Sequence, residues 1–216
     1  MSRRCPWRTL LRALGFCLAI AGCFGPWIGH RTAALSVTSL ELAEFARIFP
    51  QVQSGTVAVH RIWFFTPLVV GAVLGGVLVH PPSAGPVPNR RLRRLLIIPL
   101  ALIALAALPP YPFLFAAPFR GQLGLAVGGF VAVFLTPLAR RLPSRAWGTL
   151  VALLALVGIL PALWQYALMR PLFVALYGGR VTVGWGVIAS TAGFSLLTLE
   201  GISGMLKPRI HTDAHE

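Results

Sequence analysis

The sequence is poor in acidic residues. Only five of its 216 residues are Asp or Glu, namely Glu41, Glu44, Glu200, Asp213 and Glu216. General acid–base catalysis usually needs positioned carboxylates or histidines. The chain also lacks a GxxxxGK[ST] phosphate-binding loop, an HExxH motif and the Asp-rich motif of a metal-dependent phosphoryl or lipid transferase. We therefore expect a chain that is not an enzyme and that holds no cofactor.

Cysteine is also scarce. The three cysteines, Cys5, Cys17 and Cys23, have no CxxC spacing, so the sequence supports neither a metal site nor a disulfide framework. The four residues that end at Cys23, Ile-Ala-Gly-Cys, fit the loose pattern of a bacterial lipoprotein cleavage site. We expect the first apolar run to be a retained anchor, with cleavage and acylation of Cys23 as the alternative.

Charged residues of either sign make up only 11% of the chain, whereas 56% of the residues are hydrophobic and the mean hydropathy is +0.78. A soluble domain carries about 25% charged residues. This composition predicts an integral membrane protein whose main partner is the lipid bilayer. The net charge of +14 does not indicate nucleic-acid binding, because Lys and Arg lie in short links between apolar runs rather than along one face.

Six apolar segments are candidates for membrane-spanning helices, each of which needs about 20 residues. We expect an all-α integral membrane protein, a bundle of six transmembrane helices with a short outer amphipathic helix between helices one and two. The predicted spans are 9–28, 63–80, 95–117, 122–138, 147–169 and 183–204, with residues 1–8 and 205–216 as the termini. The prolines at 109, 110 and 112 predict that helix three ends near Leu108 or breaks there and continues to Ala117.

The distribution of Lys and Arg predicts the orientation. With six spans, thirteen of these residues lie on the side of the termini and six on the other side. Positive charge favours the cytoplasm, so both termini are expected in the cytoplasm and residues 30–62 outside the cell. The composition suits a bacterial inner membrane. The thirteen are Arg3, Arg4, Arg8, Arg12, Arg90, Arg91, Arg93, Arg94, Arg140, Arg141, Arg145, Lys207 and Arg209.

The segment 30–62 is the longest one that is neither strongly apolar nor a basic link. Thr38 or Ser39 can cap a helix in which Leu42, Phe45 and Phe49 recur at helical spacing. We expect a short amphipathic helix that lies flat on the outer surface. It would serve as a lid over the bundle, or as part of a ligand entrance or a partner contact.

Five residues are the candidates for ligand or partner contacts. Glu41 and Glu44 are the only acids on the outer side, and His30 and His60 flank the same segment. Together they could hold a metal or a haem iron, but their interfacial positions favour no metal. Glu200 lies in the last turn of helix six, where an ion pair at the inner interface is expected. A charge buried in lipid would instead suggest a proton relay.

Small residues at helical spacing predict how the helices pack. Gly71 and Gly75 form one such pair and Gly124 and Gly128 another. Such residues let helix backbones approach closely in lipid. They are expected to pack within the bundle or to dock a partner membrane subunit.

The sequence from Gly201 to Gly204 matches the GxSG pattern at the serine of rhomboid proteases. No later span supplies a catalytic histidine, and a nucleophile needs an oriented base. We therefore do not interpret it as a protease motif.

Three functions remain open. The first is a non-enzymatic membrane subunit of a transport system, either a permease or a substrate-binding membrane subunit, with other membrane subunits and an ATPase on a separate chain as partners. The size and predicted topology are similar to those of the substrate-binding subunits of energy-coupling-factor transporters, an analogy of architecture alone. The second is a structural or assembly subunit of a larger membrane complex. The third is a small lipid-modifying enzyme.

Overall fold

The computed structural model describes residues 6–30, 35–82, 90–178 and 181–206. Most of the expected terminal segments 1–8 and 205–216 therefore lie outside the described residues. Eight helices and three short strands make up the described chain. The helices are α1 (Pro6–Phe24), α2 (Ser39–Phe45), α3 (Pro50–Gln53), α4 (Thr66–Val79), α5 (Arg90–Leu105), α6 (Arg120–Leu135), α7 (Ser144–Tyr177) and α8 (Trp185–Met205).

Five helical stretches in the described residues are long and apolar enough to cross a membrane. They are 7–24, 61–79, 117–141, 144–177 and 185–205. The second begins with a 3-10 turn, Arg61–Phe65, and the third is framed by 3-10 turns at Ala117–Phe119 and Thr136–Arg141. A bundle of such helices is consistent with a membrane protein. Large apolar side chains such as Leu10, Leu102 and Leu160 are exposed on the surface of the bundle.

The predicted third span, 95–117, differs from the observed helix. Helix α5 is 16 residues long, begins with the basic residues around Arg91 and ends at Leu105. The Pro-rich stretch that follows forms a separate 3-10 turn at Tyr111–Phe113, because proline cannot donate the next helical hydrogen bond. The helix therefore ends close to Leu108 rather than continuing to Ala117.

Helix α4 is the centre of the bundle. It packs against α1, α5, α6 and α7, and 11 of its 14 residues are buried. Its apolar residues therefore surround the whole helix rather than one face, as expected for a helix enclosed by others.

Helices α1 and α8 approach each other through small residues. A Cβ on Gly193 would lie 2.5 Å from the Gly15 carbonyl oxygen and would also strike the backbone of Ala19. Helices α7 and α8 meet in the same way, because a Cβ on Gly148 would lie 2.6 Å from the carbonyl oxygen of Gly201. Close backbone approach of this kind gains dispersion contacts that lipid alone does not drive.

Two ends of the bundle can be told apart. At the end that we call the N-terminal face, the Trp147 indole of α7 donates a hydrogen bond of 3.4 Å to the Val77 carbonyl of α4. The charges of Arg93 and Arg140 act on His80 at this same face. Leu96 near the start of α5 lines the same groove as Leu78 and Val79 at the end of α4. The Ala107 carbonyl accepts a hydrogen bond from Gln122 at the start of α6, at the opposite end. The chain from Leu96 to Ala107 therefore runs from one end of the bundle toward the other.

The opposite end carries a small sheet that the all-α prediction did not contain. Strands β1 (Pro26–His30), β2 (Leu35–Thr38) and β3 (Thr182–Val183) form an antiparallel sheet in the order β2-β1-β3. The predicted first span, 9–28, therefore ends earlier, at Phe24. We call the sheet together with residues 39–53, which contain α2 and α3, the cap.

Helix α7 reaches into the cap. Its 34 residues correspond to a length of about 51 Å, whereas the hydrocarbon core of a bilayer is about 30 Å thick. Near its C-terminal end, Phe173 is fully buried and its ring lies edge-on against Phe45 and Phe49 of the cap, at 5.3 and 5.1 Å. The predicted helix five, 147–169, is thus longer at both ends.

Candidate functional site

Part of the short helix predicted in the segment 30–62 is present as α2, which ends at Phe45 and does not include Phe49. Thr38 is its N-cap, the Thr38 hydroxyl accepts a hydrogen bond of 3.3 Å from the Glu41 amide, and the Glu41 carboxylate accepts one of 2.7 Å from the Thr38 amide. This reciprocal capping box satisfies two backbone donors that the first turn leaves free. Leu42 is fully buried. Glu41 therefore has a structural partner within its own helix.

Glu44 is the acidic member of an ionic cluster between the cap and the bundle. Its Oε2 lies 3.3 Å from Nη1 of Arg47, one turn later in the chain, and its Oε1 lies 3.9 Å from Nη1 of Arg61. Glu44 and Arg47 are both 46% exposed, and an exposed pair of this kind contributes little, typically about 0–1 kcal/mol.

Arg61 is the better-buried cation of this cluster, with a side-chain exposure of 16%. Its Nη2 donates a hydrogen bond to Oε1 of Gln122 in α6, and its guanidinium lies 4.1 Å from the centre of the Phe119 ring. The Arg47 guanidinium lies 4.7 Å from the same ring centre. Gln122 in turn donates a hydrogen bond of 2.9 Å to the Ala107 carbonyl. The cluster thus ties α2 to the bundle.

The two histidines do not join this cluster. The His60 side chain is exposed, and its backbone amide donates a hydrogen bond of 2.8 Å to Oε1 of the buried Gln165. The His30 backbone ends β1, and its side chain lies outside the described part of the chain. Within the described ranges, no three His, Cys, Asp or Glu side chains gather as a metal site would require.

Glu200 forms a buried ion pair at the N-terminal face. Its Oε1 accepts hydrogen bonds from Arg12 of α1, of 3.0 Å from Nε and 2.5 Å from Nη2. Glu200 is 6% exposed and Arg12 is 20% exposed. The Arg12 guanidinium also lies 5.1 Å from the centre of the Trp147 ring. The Arg12 guanidinium therefore compensates the negative charge of the buried Glu200 carboxylate. Helices α1, α7 and α8 meet at this ion pair.

Helix α6 exposes a pair of glycines one turn apart. A Cβ built on Gly124 or on Gly128 would meet no atom within 4 Å. Both residues are exposed, and Val127 and Val131 on the same side are 45% and 49% exposed. No described part of the chain packs against these two glycines, so packing within the bundle, one of their two predicted uses, is not seen among the described residues.

The other predicted glycine pair behaves differently. A Cβ on Gly71 would lie 2.8 Å from the Ile20 side chain, and one on Gly75 would lie 2.6 Å from the Phe16 ring and 2.7 Å from Leu100. Gly71 and Gly75 thus allow α1 and α5 to pack closely on α4. Gly71 and Gly75 therefore lie at contacts between helices, whereas Gly124 and Gly128 face outward with no contact among the described residues.

Three residues that organise these sites were not singled out by sequence reasoning. In the sequence, Arg12 is one of the thirteen basic residues on the side of the termini, and Arg61 is one of the six on the other side. Gln122 was only the first residue of a predicted span. Each stands at the end of an apolar run, where a polar side chain must find a partner. That requirement is the signal that could have drawn attention to them.

Comparisons of the chain with protein-family models, with curated proteins and with solved structures found no match. The function therefore has to be argued from the chain's own residues.

Proposed function

We propose that this protein is a non-enzymatic integral membrane subunit that binds a helix of another membrane subunit on the exposed glycine face of α6. We define this face by Gly124, Val127, Gly128 and Val131. The observation that carries the proposal is the open space above both glycines. A glycine pair at this spacing is a common contact between membrane helices, because it allows two backbones to approach closely.

The surroundings of the face support a helix as the occupant. Glycine lowers the stability of a helix by about 1 kcal/mol relative to alanine, so two open glycines on one face weaken α6 without improving its internal packing. A neighbouring helix would recover that loss through backbone contact. The ridge of Val127 and Val131 beside the glycines provides side chains with few rotamers, which lose little entropy on packing.

We further propose that the chain crosses the membrane six times, with α5 as the sixth span. The run of the chain from Leu96 to Ala107 along the bundle supports this. Helix α5 alone is about 24 Å long, and the apolar residues up to Leu108 extend it. With six spans, the charge distribution favours cytoplasmic termini and an extracytoplasmic cap with α2 on the outer surface, in a bacterial inner membrane.

The assembly that we propose is a transport system in which another chain supplies the ATPase. Its support is the scarcity of reactive side chains. Glu41 is engaged in a helix cap, Glu44 in a tether and Glu200 in an ion pair. These engagements also weaken the alternative of a lipid-modifying enzyme, which needs carboxylates free to transfer protons.

Purification from native membranes in mild detergent, with quantitative mass spectrometry, tests the proposal. The wild-type chain should retain a membrane partner at fixed stoichiometry. Gly124→Leu and Gly128→Leu should each lower the recovery of that partner about tenfold or more, the equivalent of about 1.4 kcal/mol of binding free energy. Their own thermal stability should not fall, because a Cβ at either position meets no atom of the described residues within 4 Å and the rest of the leucine side chain can extend outward.

Ala192→Leu is the matched control. Ala192 is exposed on α8, so the substitution adds a similar side chain to another outward-facing helix position. It should leave the recovery unchanged. Equal recovery of the partner by all three variants would contradict docking on α6. A partner that proved to be a second copy of this chain would replace the hetero-subunit proposal with self-association.

A further inference from the structure

The bundle contains a groove between α1 and α5 at its N-terminal face. Both helices pack on α4, and a space of about 480 Å³ remains between them. This volume is in the range of ligand pockets. Its walls are almost entirely apolar, and Thr9 and Arg12 provide the polar atoms at one end. The remaining lining residues are Ala13, Phe16, Gly75, Leu78, Val79, Leu96, Pro99, Leu100 and Ile103.

The groove opens beside side chains that are exposed on the outer surface of the bundle. Leu14 of α1 is 51% exposed, and Ile98 and Leu102 of α5 are 55% and 61% exposed. In a membrane-embedded chain these side chains contact lipid. The molecule that reaches the groove from this side is therefore one that already lies among acyl chains.

The polar end of the groove has an excess of positive charge. Arg12 uses Nε and Nη2 to bind Glu200, and within the described residues its Nη1 has no hydrogen-bond partner. Arg8 lies one turn before Arg12 on α1. Among the described residues, Glu200 is the only acid at this face, since the other two acids lie in α2.

We infer that the groove binds an anionic glycerophospholipid, with one acyl chain against α4 and its phosphate at Arg12. The apolar length of the groove accounts for the acyl chain. Nη1 of Arg12, with Arg8 one turn before it, accounts for the head group. Each Lys or Arg near a membrane surface contributes about 1 kcal/mol to the attraction of anionic lipid. The inference rests on the proposed membrane placement, but it does not depend on the partner at α6.

Thermal unfolding of the purified detergent-solubilised chain, titrated with defined lipids, tests the inference. Phosphatidylglycerol and phosphatidylcholine with identical acyl chains are the two probes. Phosphatidylglycerol should stabilise the wild-type chain at a concentration about fivefold lower than phosphatidylcholine does. Glycerol phosphate, which has the charge but no acyl chain, should not reproduce the effect. Equal potency of the two lipids, or full potency of glycerol phosphate, would overturn the inference.

A variant pair locates the site. Ala13 is exposed and lines the groove, so Ala13→Phe places a ring in the space for the acyl chain. Leu14 is the next residue and does not line the groove, so Leu14→Phe is the matched control. The preference for phosphatidylglycerol should disappear in Ala13→Phe and persist in Leu14→Phe. Persistence in both variants would place the lipid elsewhere.

A measurement on the unaltered chain covers the case in which Ala13→Phe does not fold. Phosphatidylglycerol with a photoactivatable diazirine in its acyl chain should label peptides that contain residues 9–16 and 96–103. The internal comparison is the peptide 153–160 of α7, in which Leu153, Leu156, Val157 and Leu160 are exposed. Uniform labelling of all three peptides would show ordinary solvation by lipid and would contradict a site. These tests succeed or fail independently of any partner on α6, so the two proposals can be told apart.

Discussion

Arg12 and Glu200 are 188 residues apart in the chain and form an ion pair of 2.5 Å between α1 and α8. Removal of one partner from a buried pair typically costs about 3–5 kcal/mol, because the other charge is left buried without compensation. We therefore expect Arg12→Gln and Glu200→Gln each to lower the thermal midpoint markedly.

The double variant Arg12→Gln, Glu200→Gln distinguishes pairing from two separate effects. Without either charge, its loss of stability should be smaller than the sum of the single losses. Thermal unfolding in detergent of the four proteins of this cycle measures the coupling free energy. Additive losses would mean that the pair does not stabilise the fold as a unit.

The glycines at helix contacts should tolerate substitution very unequally. Gly193→Ala brings a methyl group against the backbone of Ala19 and the Gly15 carbonyl, so α1 and α8 would have to move apart. Gly124→Ala meets nothing and removes the helix penalty of glycine, about 1 kcal/mol. We expect the midpoint of thermal unfolding to fall for Gly193→Ala and to be unchanged or slightly raised for Gly124→Ala. The opposite order would contradict the packing described for α8.

Trp27 is the fully buried side chain that joins the cap to α1 and α7. Its Nε1 donates a hydrogen bond of 3.0 Å to the Gly22 carbonyl, and its ring lies edge-on to Tyr166 at 5.8 Å. Trp27→Phe keeps an aromatic ring but leaves that carbonyl without its donor, at an expected cost of about 1–3 kcal/mol. Thermal unfolding measures the loss. Trp164→Phe, at an exposed position of α7, is the control and should change little.

The ionic cluster under the cap predicts different effects for its two arginines. Arg61→Leu removes the donor to Gln122 and a stacking partner of Phe119, both on the bundle side. Arg47→Leu removes an exposed charge and the more distant of the two contacts with the same ring, but no hydrogen bond to the bundle. Hydrogen exchange in residues 39–53 should accelerate strongly in Arg61→Leu and only slightly in Arg47→Leu. Similar acceleration in both variants would show that the tether does not depend on Arg61.

Much of the bundle could be predicted because apolar length and proline are local properties. The Thr38 cap of α2 and the end of α5 near Leu108 both follow from neighbouring residues. The sheet could not be predicted, because its strands Pro26–His30 and Thr182–Val183 are short and distant in the sequence. A pairing between such strands depends on where the helices bring them.

The candidate sites show the same division between local and long-range information. Glu44 and Arg47 are one turn apart, a spacing that by itself favours an ion pair on a helix. The partners of Glu200 and Arg61, which are Arg12 and Gln122, lie far away in the sequence. Glycine spacing predicted two contact pairs. Only the packed helices show that Gly71 and Gly75 are covered whereas Gly124 and Gly128 are open.

The most direct test of the account is site-specific photocrosslinking in native membranes. A photoreactive amino acid replaces Gly128 on the exposed face of α6, or Leu153, which is 55% exposed on α7, as the comparison. The account predicts one discrete protein adduct from position 128, of a mass larger than the chain alone and different from twice that mass, and no such adduct from position 153. Labelling of lipid alone at both positions would contradict the central claim that α6 docks a partner subunit.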